Sequence, residues 1–268
     1  MAESLLPDLP ALHRHLLAVI GEATAIALAD YRPGQRTSAE IIWKDGGSPV
    51  TGADLAVDAF LAGALPHGMP LAYHSEERPD SWQGAAQAAY VVDPIDGTRD
   101  FMEGGQAWCI VVGVVAGGMP VAGVLAVPAR QEVFSAYRGG GAWLNGQPLG
   151  AIRPTDGRLR TTGPRSILEL LSDQLRQPLE PAPAVPALAH RLLAPVKGQA
   201  DLALARGGGH DWDIAASHAI LAECGGTLAR IDGRPLAYDL AGATHPPLMA
   251  GHGMLVDKIR STLLTGRA

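Results

Sequence analysis

Apolar residues recur along the chain with two different periods, and the change of period predicts the order of helices and strands. A first helix is predicted from Pro10 to Tyr31, because its apolar residues have the spacing of an amphipathic helix. Thr51 is predicted to open a second helix, since Asp54 stands three residues later in a capping-box arrangement. This helix is expected to end near Pro66–Gly68.

Short apolar runs bounded by Gly and Pro predict a strand-rich middle. The predicted strands are Leu71–His74, Tyr90–Val92, Trp108–Val115, Val121–Val127 and Glu132–Tyr137. No helix-length crossover was recognised between them, so they are expected to be antiparallel and to form a meander.

The second half of the chain is predicted to mix short helices with strands. The predicted helices are Ile167–Leu175, Leu188–Leu193 and Trp212–Glu223, and the predicted strands are Arg160–Thr162, Ala200–Ala205, Thr227–Ile231 and Leu248–Ala250. Asp211 is expected to be the N-cap of the last helix, with Gly225-Gly226 as its stop. We therefore divide the chain into an N-terminal α+β half, 1–150, and a C-terminal α/β half, 151–268.

Composition narrows the class of protein. The chain has 268 residues, of which 47% are hydrophobic and 18% charged, as expected for a soluble globular protein with a substantial core. A net charge of −6 disfavours a nucleic-acid polymer as partner. The two cysteines define neither a disulfide framework nor a zinc cluster. Glu22 interrupts the apolar run near the N-terminus, so we expect no signal peptide, no membrane insertion and a cytoplasmic protein.

The segment Asp93-Pro94-Ile95-Asp96-Gly97-Thr98 directly follows an apolar run and carries the strongest chemical signal. Two aspartates three residues apart can be ordinary turn formers. Carboxylates on a rigid Pro/Gly turn at the end of a buried strand also suit a hard cation such as Mg²⁺. The following Gly-Thr step offers backbone N–H groups and a hydroxyl to an anion. The pattern predicts metal-assisted phosphate chemistry.

Other acidic residues have local explanations when taken singly. Glu76 and Glu77 follow a predicted strand and could be solvated loop charges. Asp213 stands in the first turn of a helix, where the helix dipole stabilises a carboxylate. Asp54 is explained by helix capping.

Taken together, four separated motifs resemble the inositol monophosphatase superfamily. They are Lys44–Asp54, Ser75–Glu77, Asp93–Phe101, and Trp212-Asp213 with the later Gly225-Gly226. The resemblance implies a mixed α/β (α+β) fold, a layered α/β/α/β/α sandwich of the sugar-phosphatase type. It also implies a magnesium-dependent phosphomonoesterase, with a small phosphorylated substrate and a homodimeric assembly.

The same resemblance implies roles for particular residues. Two Mg²⁺ ions, and a third in some relatives, would be held by Glu76, Asp93, the carbonyl of Ile95, Asp96 and Asp213. Thr98 would orient the attacking water and Asp54 would accept from its hydroxyl, with Glu76 also placed in the catalytic set. Phosphate and substrate contacts would come from Gly97, Thr98 and His210, although His210 could also simply line the site.

The substrate is less clearly indicated. Asp100 and the segments Lys44–Thr51, Gly233–Leu236 and His210–Ala216 are most similar to the 3′(2′),5′-bisphosphate nucleotidases, which hydrolyse adenosine 3′,5′-bisphosphate to AMP and phosphate. Pro186–His190 and Gly207–Gly209 depart from that pattern. The alternatives are an inositol-1-monophosphatase, a related sugar or histidinol phosphate phosphatase, and a non-catalytic regulatory relative with the same fold.

Overall fold

The computed structural model describes residues 8–78, 87–153, 157–175, 179–238 and 244–265. Its helices are α1 Leu9–Asp30, α2 Gly52–Gly68, α3 Thr98–Met102, α4 Arg165–Leu175, α5 Leu188–Leu192, α6 Asp211–Glu223 and α7 Gly253–Thr265. The strands of the first half are β1 Ile41–Trp43, β2 Pro49–Thr51, β3 Ala72–Ser75, β4 Ala88–Asp96, β5 Cys109–Ala116, β6 Met119–Val127, β7 Glu132–Tyr137, β8 Gly141–Leu144 and β9 Gln147–Pro148. Those of the second half are β10 Arg160–Thr162, β11 Glu180–Pro181, β12 Leu202–Ala205, β13 Gly226–Arg230 and β14 Leu248–His252.

The strands form one large sheet, one smaller sheet and a hairpin. The seven-stranded sheet has the order β3-β4-β5-β6-β7-β8-β9, and the five-stranded sheet has the order β11-β10-β12-β14-β13. β1 and β2 form the separate hairpin, which packs beside the start of α2.

The predicted meander is confirmed from β4 to β9, where each strand pairs antiparallel with the next. The prediction is wrong for the first strand, since β3 pairs parallel with β4 from Ala72↔Ala89 to Ser75↔Val92. About a dozen residues connect β3 to β4, the length that a parallel pair requires for its crossover. The parallel pairing brings the carboxyl ends of β3 and β4, which lead to Glu76 and Asp93, to the same edge.

Five layers stack on three hydrophobic cores, which confirms the expected sandwich. α1 and α2 cover one face of the large sheet through a core that includes Leu16, Leu61 and Val112. α5 and α6 lie between the two sheets, in a core that includes Val91 of the large sheet and Ala203 of the small sheet. α4 and α7 cover the outer face of the small sheet. The division near residue 150 stays a prediction.

Small residues allow α6 to approach the large sheet closely. A Cβ added to Gly123 of β6 would lie 2.6 Å from the Cα of Ala216, and one added to Gly113 of β5 would lie 2.8 Å from the Cβ of Ala215. The missing side chains therefore let the backbone of α6 reach the sheet. This contact places the first turn of α6 next to the end of β4.

Of the two helix-capping predictions, the one for α2 is confirmed and the one for α6 is wrong. The Thr51–Asp54 capping box of α2 is confirmed, with Thr51 N donating to Asp54 Oδ2 at 2.9 Å. Asp211 is not the N-cap of α6 but its first helical residue, and His210 is the N-cap. The Asp213 carboxylate takes the capping role, since its Oδ2 accepts from His210 N at 2.6 Å.

Among the described residues, α1 is the one helix long and apolar enough, by length and composition, to cross a membrane. One face of α1 is buried against α2 and the large sheet through Leu12, Leu16, Val19, Ile20 and Ala23.

Candidate active site

Three carboxylates converge where the large sheet meets α6. Asp93 and Asp96 lie at the end of β4, and Asp213 lies in the first turn of α6. One carboxylate oxygen from each lies within 4.8 Å of the others. The irregular register of β4 between Asp93 and Asp96 directs both side chains into this cluster. The convergence of residues 93, 96 and 213 follows the sequence-based expectation.

The electrostatics of this cluster suit a bound cation. Asp93 is buried, and its Oδ1 has no hydrogen-bond partner in the described part of the chain. Burial, and then the charges of Glu76, Asp96 and Asp213, raise the pKa of Asp93 well above its ordinary value. Burial and the charge of Asp96 likewise raise the pKa of Asp213. An unpartnered buried carboxylate oxygen among like charges is the environment that a divalent ion would stabilise.

Asp96 is also fixed by backbone amides of α5. Its Oδ1 accepts from Leu188 N at 3.0 Å and its Oδ2 from Ala189 N at 2.6 Å. Burial raises the pKa of Asp96 to about 6, although these two hydrogen bonds oppose the shift. The second half of the chain therefore holds a carboxylate that the first half supplies.

Thr98 and Asp54 lie together, as expected. Thr98 Oγ1 lies 3.3 Å from Asp54 Oδ1 and 3.1 Å from the carbonyl oxygen of Ile95, so its one proton can go to either acceptor. Asp54 Oδ2 accepts from Thr51 Oγ1 at 2.5 Å. Burial raises the pKa of Asp54 to about 7, which places a proton acceptor near neutral pH.

Gly97 joins Asp96, the last residue of β4, to α3 in a backbone conformation that favours glycine. Its φ of +89° is in the left-handed region. A Cβ at this position would also lie 3.1 Å from the Cβ of Ala187 and 3.3 Å from the Cα of Trp108. Backbone conformation and crowding both require a residue without a side chain between Asp96 and Thr98.

Glu76 lies near the cluster but outside its three-carboxylate group. Its side chain is about one third exposed, and its Oε1 lies 3.4 Å from Lys44 Nζ. Lys44 Nζ also pairs with the buried Glu77 at 2.8 Å. Lys44 belongs to the hairpin loop between β1 and β2, so the sequence motif Lys44–Asp54 and the motif Ser75–Glu77 meet through an ion pair.

The Asp100 carboxylate is held by backbone amides of nearby residues. Its Oδ2 accepts from Ala107 N at 2.7 Å and from Trp108 N at 3.2 Å. A Cβ added to Gly105 would collide with the same carboxylate. These contacts explain an acidic residue at position 100 without any substrate, so Asp100 no longer argues for a nucleotide substrate.

His210 lies at the rim of the cluster. Its ring stacks on Trp212 with centroids 4.5 Å apart, and its Nδ1 lies 3.9 Å from Asp213 Oδ2. Burial lowers the pKa of His210, which favours the neutral imidazole. The residue is half-buried and lies close enough to Asp213 to line the same cleft.

A cavity of about 620 Å³ opens from Asp96 and was not anticipated from the sequence. It is lined by Pro164, Pro186, Leu188, Arg191, Arg206 and Gly207–Gly209. Arg191 donates to three backbone carbonyls through Nε and Nη1, while no described residue pairs with the Arg206 side chain. No local motif marks either arginine, because the cavity joins segments far apart in the chain.

Comparison with known proteins defines the class. A sequence profile of the inositol monophosphatase family matches residues 14–262. The native suhB structure from Bartonella henselae superposes with a TM-score of 0.75 at 22% identity, over 93% of this chain and 97% of that one. The chain therefore belongs to the inositol monophosphatase family. Members of this family are metal-dependent phosphatases that hydrolyse phosphate monoesters.

Relatives within the family act on different substrates. The 3′(2′),5′-bisphosphate nucleotidase CysQ of Shigella flexneri is 28% identical over 205 residues, covering 74% of this chain and 83% of the relative. The histidinol-phosphatase of Mycobacterium tuberculosis is 29% identical over 237 residues, covering 82% and 86%. Sequence identities of 28% and 29% to phosphatases with different substrates do not indicate the substrate of this chain, which has to be inferred from the site.

Proposed function

We propose that the chain is a 3′(2′),5′-bisphosphate nucleotidase that hydrolyses adenosine 3′,5′-bisphosphate to AMP and phosphate with Mg²⁺. The observation that carries this proposal is the cavity beside Asp96, whose wall contains two arginines. Asp96 is the one acidic residue among the described residues that line it. A substrate with a second anionic group beyond the reacting phosphate would match this charge.

Arg206 is the better placed of the two arginines to bind such a group. Arg191 already donates to the carbonyl oxygens of Leu204, Val185 and Pro186. Arg206 is exposed, and none of the described residues accepts a hydrogen bond from its guanidinium. Guanidinium groups bind phosphate oxygens through charge-assisted, often bidentate hydrogen bonds. The same wall would repel the ammonium group of histidinol phosphate.

The proposed catalytic residues fit the cluster geometry. Asp93, Asp96 and Asp213, with Glu76 and the carbonyl of Ile95, would hold two Mg²⁺ ions, and a third near Glu76 is part of the proposal. Bound Mg²⁺ neutralises the phosphate and lowers the pKa of a coordinated water.

The chain's own groups would then orient and deprotonate that water. Thr98 Oγ1 would accept a hydrogen bond from the water while donating to Asp54, whose buried carboxylate is placed to accept the proton. The N–H groups of Gly97 and Thr98 would bind phosphate oxygens, and His210 would contact the substrate.

The test measures phosphate release with Mg²⁺ from adenosine 3′,5′-bisphosphate, adenosine 3′-monophosphate, inositol 1-phosphate and histidinol phosphate. We expect the bisphosphate to have the highest kcat/KM. Arg206→Gln should raise the KM for the bisphosphate about 10-fold, as expected for losing a charge-assisted hydrogen bond, and leave the KM for the 3′-monophosphate unchanged. Arg153→Gln, on an exposed residue of a different cavity, is the matched control.

Equal kcat/KM for the bisphosphate and the 3′-monophosphate would contradict the proposal. A preference for inositol 1-phosphate would favour the inositol monophosphatase alternative, and absence of any turnover would favour a non-catalytic relative. We further propose a homodimer, which light scattering of the purified protein would detect as a doubled mass.

A further inference from the structure

The position of Asp213 depends on how the start of α6 is held. In the described chain, the Asp213 carboxylate accepts one hydrogen bond, from His210 N within its own helix turn. Its ion-pair contact is also with His210, and no described residue of the large sheet, which carries Asp93 and Asp96, hydrogen-bonds or ion-pairs with it. Its place in the cluster is therefore set by the packing of α6 on the sheet together with the backbone that leads into α6.

That backbone contains three consecutive glycines, Gly207–Gly209, and so lacks side chains that could fix it. Gly208 adopts a φ of +108°, and a Cβ at Gly209 would lie 3.4 Å from Asp213 Oδ2. Glycine runs lose more conformational entropy on ordering than other sequences. Contacts from another segment must hold this turn in its observed conformation.

His245 makes those contacts on both sides of the turn. Its carbonyl accepts from Gly208 N at 2.9 Å, and its own N donates to Gly209 O at 2.6 Å. Its ring Nε2 lies 2.7 Å from Oδ1 of Asp211, the first residue of α6. Both side chains are buried, so this hydrogen bond is protected from solvent.

The segment that carries His245 is itself anchored to the small sheet. Ile231 N donates to Pro247 O at 3.0 Å, and β14 begins at the next residue, Leu248. Pro247 also lies against the glycine turn, since a Cβ at Gly207 would be 3.3 Å from its Cδ. The small sheet can thus transmit its position through His245 to the first turn of α6.

We propose that His245 is a positioning residue for the metal site. By holding Asp211 and the glycine turn, it fixes Asp213 at the distance from Asp93 and Asp96 that a shared cation requires. Hydrogen-bonded partners of a metal ligand commonly change metal affinity by about 10- to 100-fold, and because His245 contacts the neighbours of Asp213 and not Asp213 itself, we expect the lower end of that range. This inference rests on the proposed role of Asp213 as a ligand, but not on the identity of the substrate.

The test compares His245→Met, which removes the ring nitrogen at similar bulk, with His245→Gln, which keeps a donor of similar reach. His218→Met is the matched control, because His218 lies on α6 two turns after Asp211 and also makes a side-chain hydrogen bond, with Tyr238 OH at 2.9 Å. Two Mg²⁺ concentrations are measured for each protein. The first gives half-maximal thermal stabilisation in the absence of substrate. The second gives half-maximal phosphate release in the presence of substrate.

We expect His245→Met to raise both Mg²⁺ concentrations about 10-fold or more, with the substrate KM at saturating Mg²⁺ changed less than about twofold. His245→Gln should recover most of the affinity, and His218→Met should keep it. Wild-type Mg²⁺ affinity in His245→Met, or an equal loss in His218→Met, would overturn the proposal. If His245→Met does not fold, an unchanged affinity in Asp211→Asn, which weakens the same contact, would overturn it. A wild-type protein stabilised by Mg²⁺ but inactive on bisphosphates would refute the nucleotidase and leave this test intact.

Discussion

Replacing Asp93 with asparagine should stabilise the metal-free protein while abolishing its response to Mg²⁺. Asp93 lies within 4.8 Å of both Asp96 and Asp213, measured between carboxylate oxygens. At an effective dielectric constant near 20, each such pair of charges repels by about 3.5 kcal/mol or more. The native cluster can take up protons and so avoid part of this repulsion. We therefore expect a gain of about 1–3 kcal/mol from Asp93→Asn, or roughly 3–10 °C in Tm.

The pH dependence has a defined sign. Burial raises the folded-state pKa of Asp96 to about 6 and that of Asp54 to about 7, above the ordinary value of 3.8. The folded chain therefore holds more protons than the unfolded chain between these values. Stability from this source is fully present below pH 3.8 and is lost as the pH rises through about 6 and 7. The advantage of Asp93→Asn in EDTA should accordingly grow from pH 5 to pH 8.

Thermal unfolding in EDTA and in Mg²⁺, at pH 5 and pH 8, is the assay. With Mg²⁺ at about 1,000 times its dissociation constant, the wild-type protein should gain about 4.1 kcal/mol from the metal. This gain exceeds the expected advantage of Asp93→Asn, so the order of stability should reverse when Mg²⁺ is added. Asp173→Asn, on an exposed residue of α4, controls for the loss of one charge. A less stable Asp93→Asn protein in EDTA at pH 8, or equal Mg²⁺ stabilisation of both proteins, would refute the reasoning.

Three further predictions concern other parts of the structure. Thr98→Ala should lower kcat about 100-fold and Thr98→Ser far less, measured by phosphate release, because only serine keeps the hydroxyl beside Asp54. Gly97→Ala should cost about 1–3 kcal/mol in urea unfolding, because of its left-handed backbone. Lys197→Met should cost about 1–3 kcal/mol in the same assay, because it removes the partner at 2.7 Å of the partly buried Glu132 and leaves that carboxylate with His190 Nε2 at 3.9 Å, and adding Glu132→Gln should recover most of the loss.

Each of these has a contradicting result. Equal kcat for Thr98→Ala and Thr98→Ser would remove the hydroxyl from the mechanism. Wild-type stability of Gly97→Ala would show that the turn can adopt another conformation. Equal stability of the single Lys197→Met variant and the double variant would show that the unpaired charge of Glu132 is not the cause of the loss.

Local signals in the sequence predicted the parts of the site whose determinants lie within a few residues. The Thr51–Asp54 capping box forms because both partners stand on one helix turn. Asp93 and Asp96 follow an apolar run whose two faces are buried, although the strand continues to Asp96 and the predicted turn begins only at Gly97. In both cases the residues that decide the structure are adjacent in the chain.

Contacts between distant segments were not predictable from spacing. The pattern of polar and apolar residues in β3 and β4 does not indicate whether the two strands run parallel or antiparallel. The N-cap of α6 was placed one residue late, because Asp211 bonds to His245, 34 residues away, instead of capping its own helix. An acidic residue at position 100 resembles a substrate-specificity feature in the sequence alone, whereas in the structure the amides of Ala107 and Trp108 account for it.

Counting the divalent ions bound by the metal-free protein tests the central claim most directly. Electron paramagnetic resonance during Mn²⁺ titration measures free Mn²⁺, and the proposed site predicts saturable binding of two ions per chain in the presence of inorganic phosphate. Asp93→Asn should bind neither ion tightly. Saturable Mn²⁺ binding of the same stoichiometry and affinity in Asp93→Asn, or none in the wild-type chain, would contradict the account.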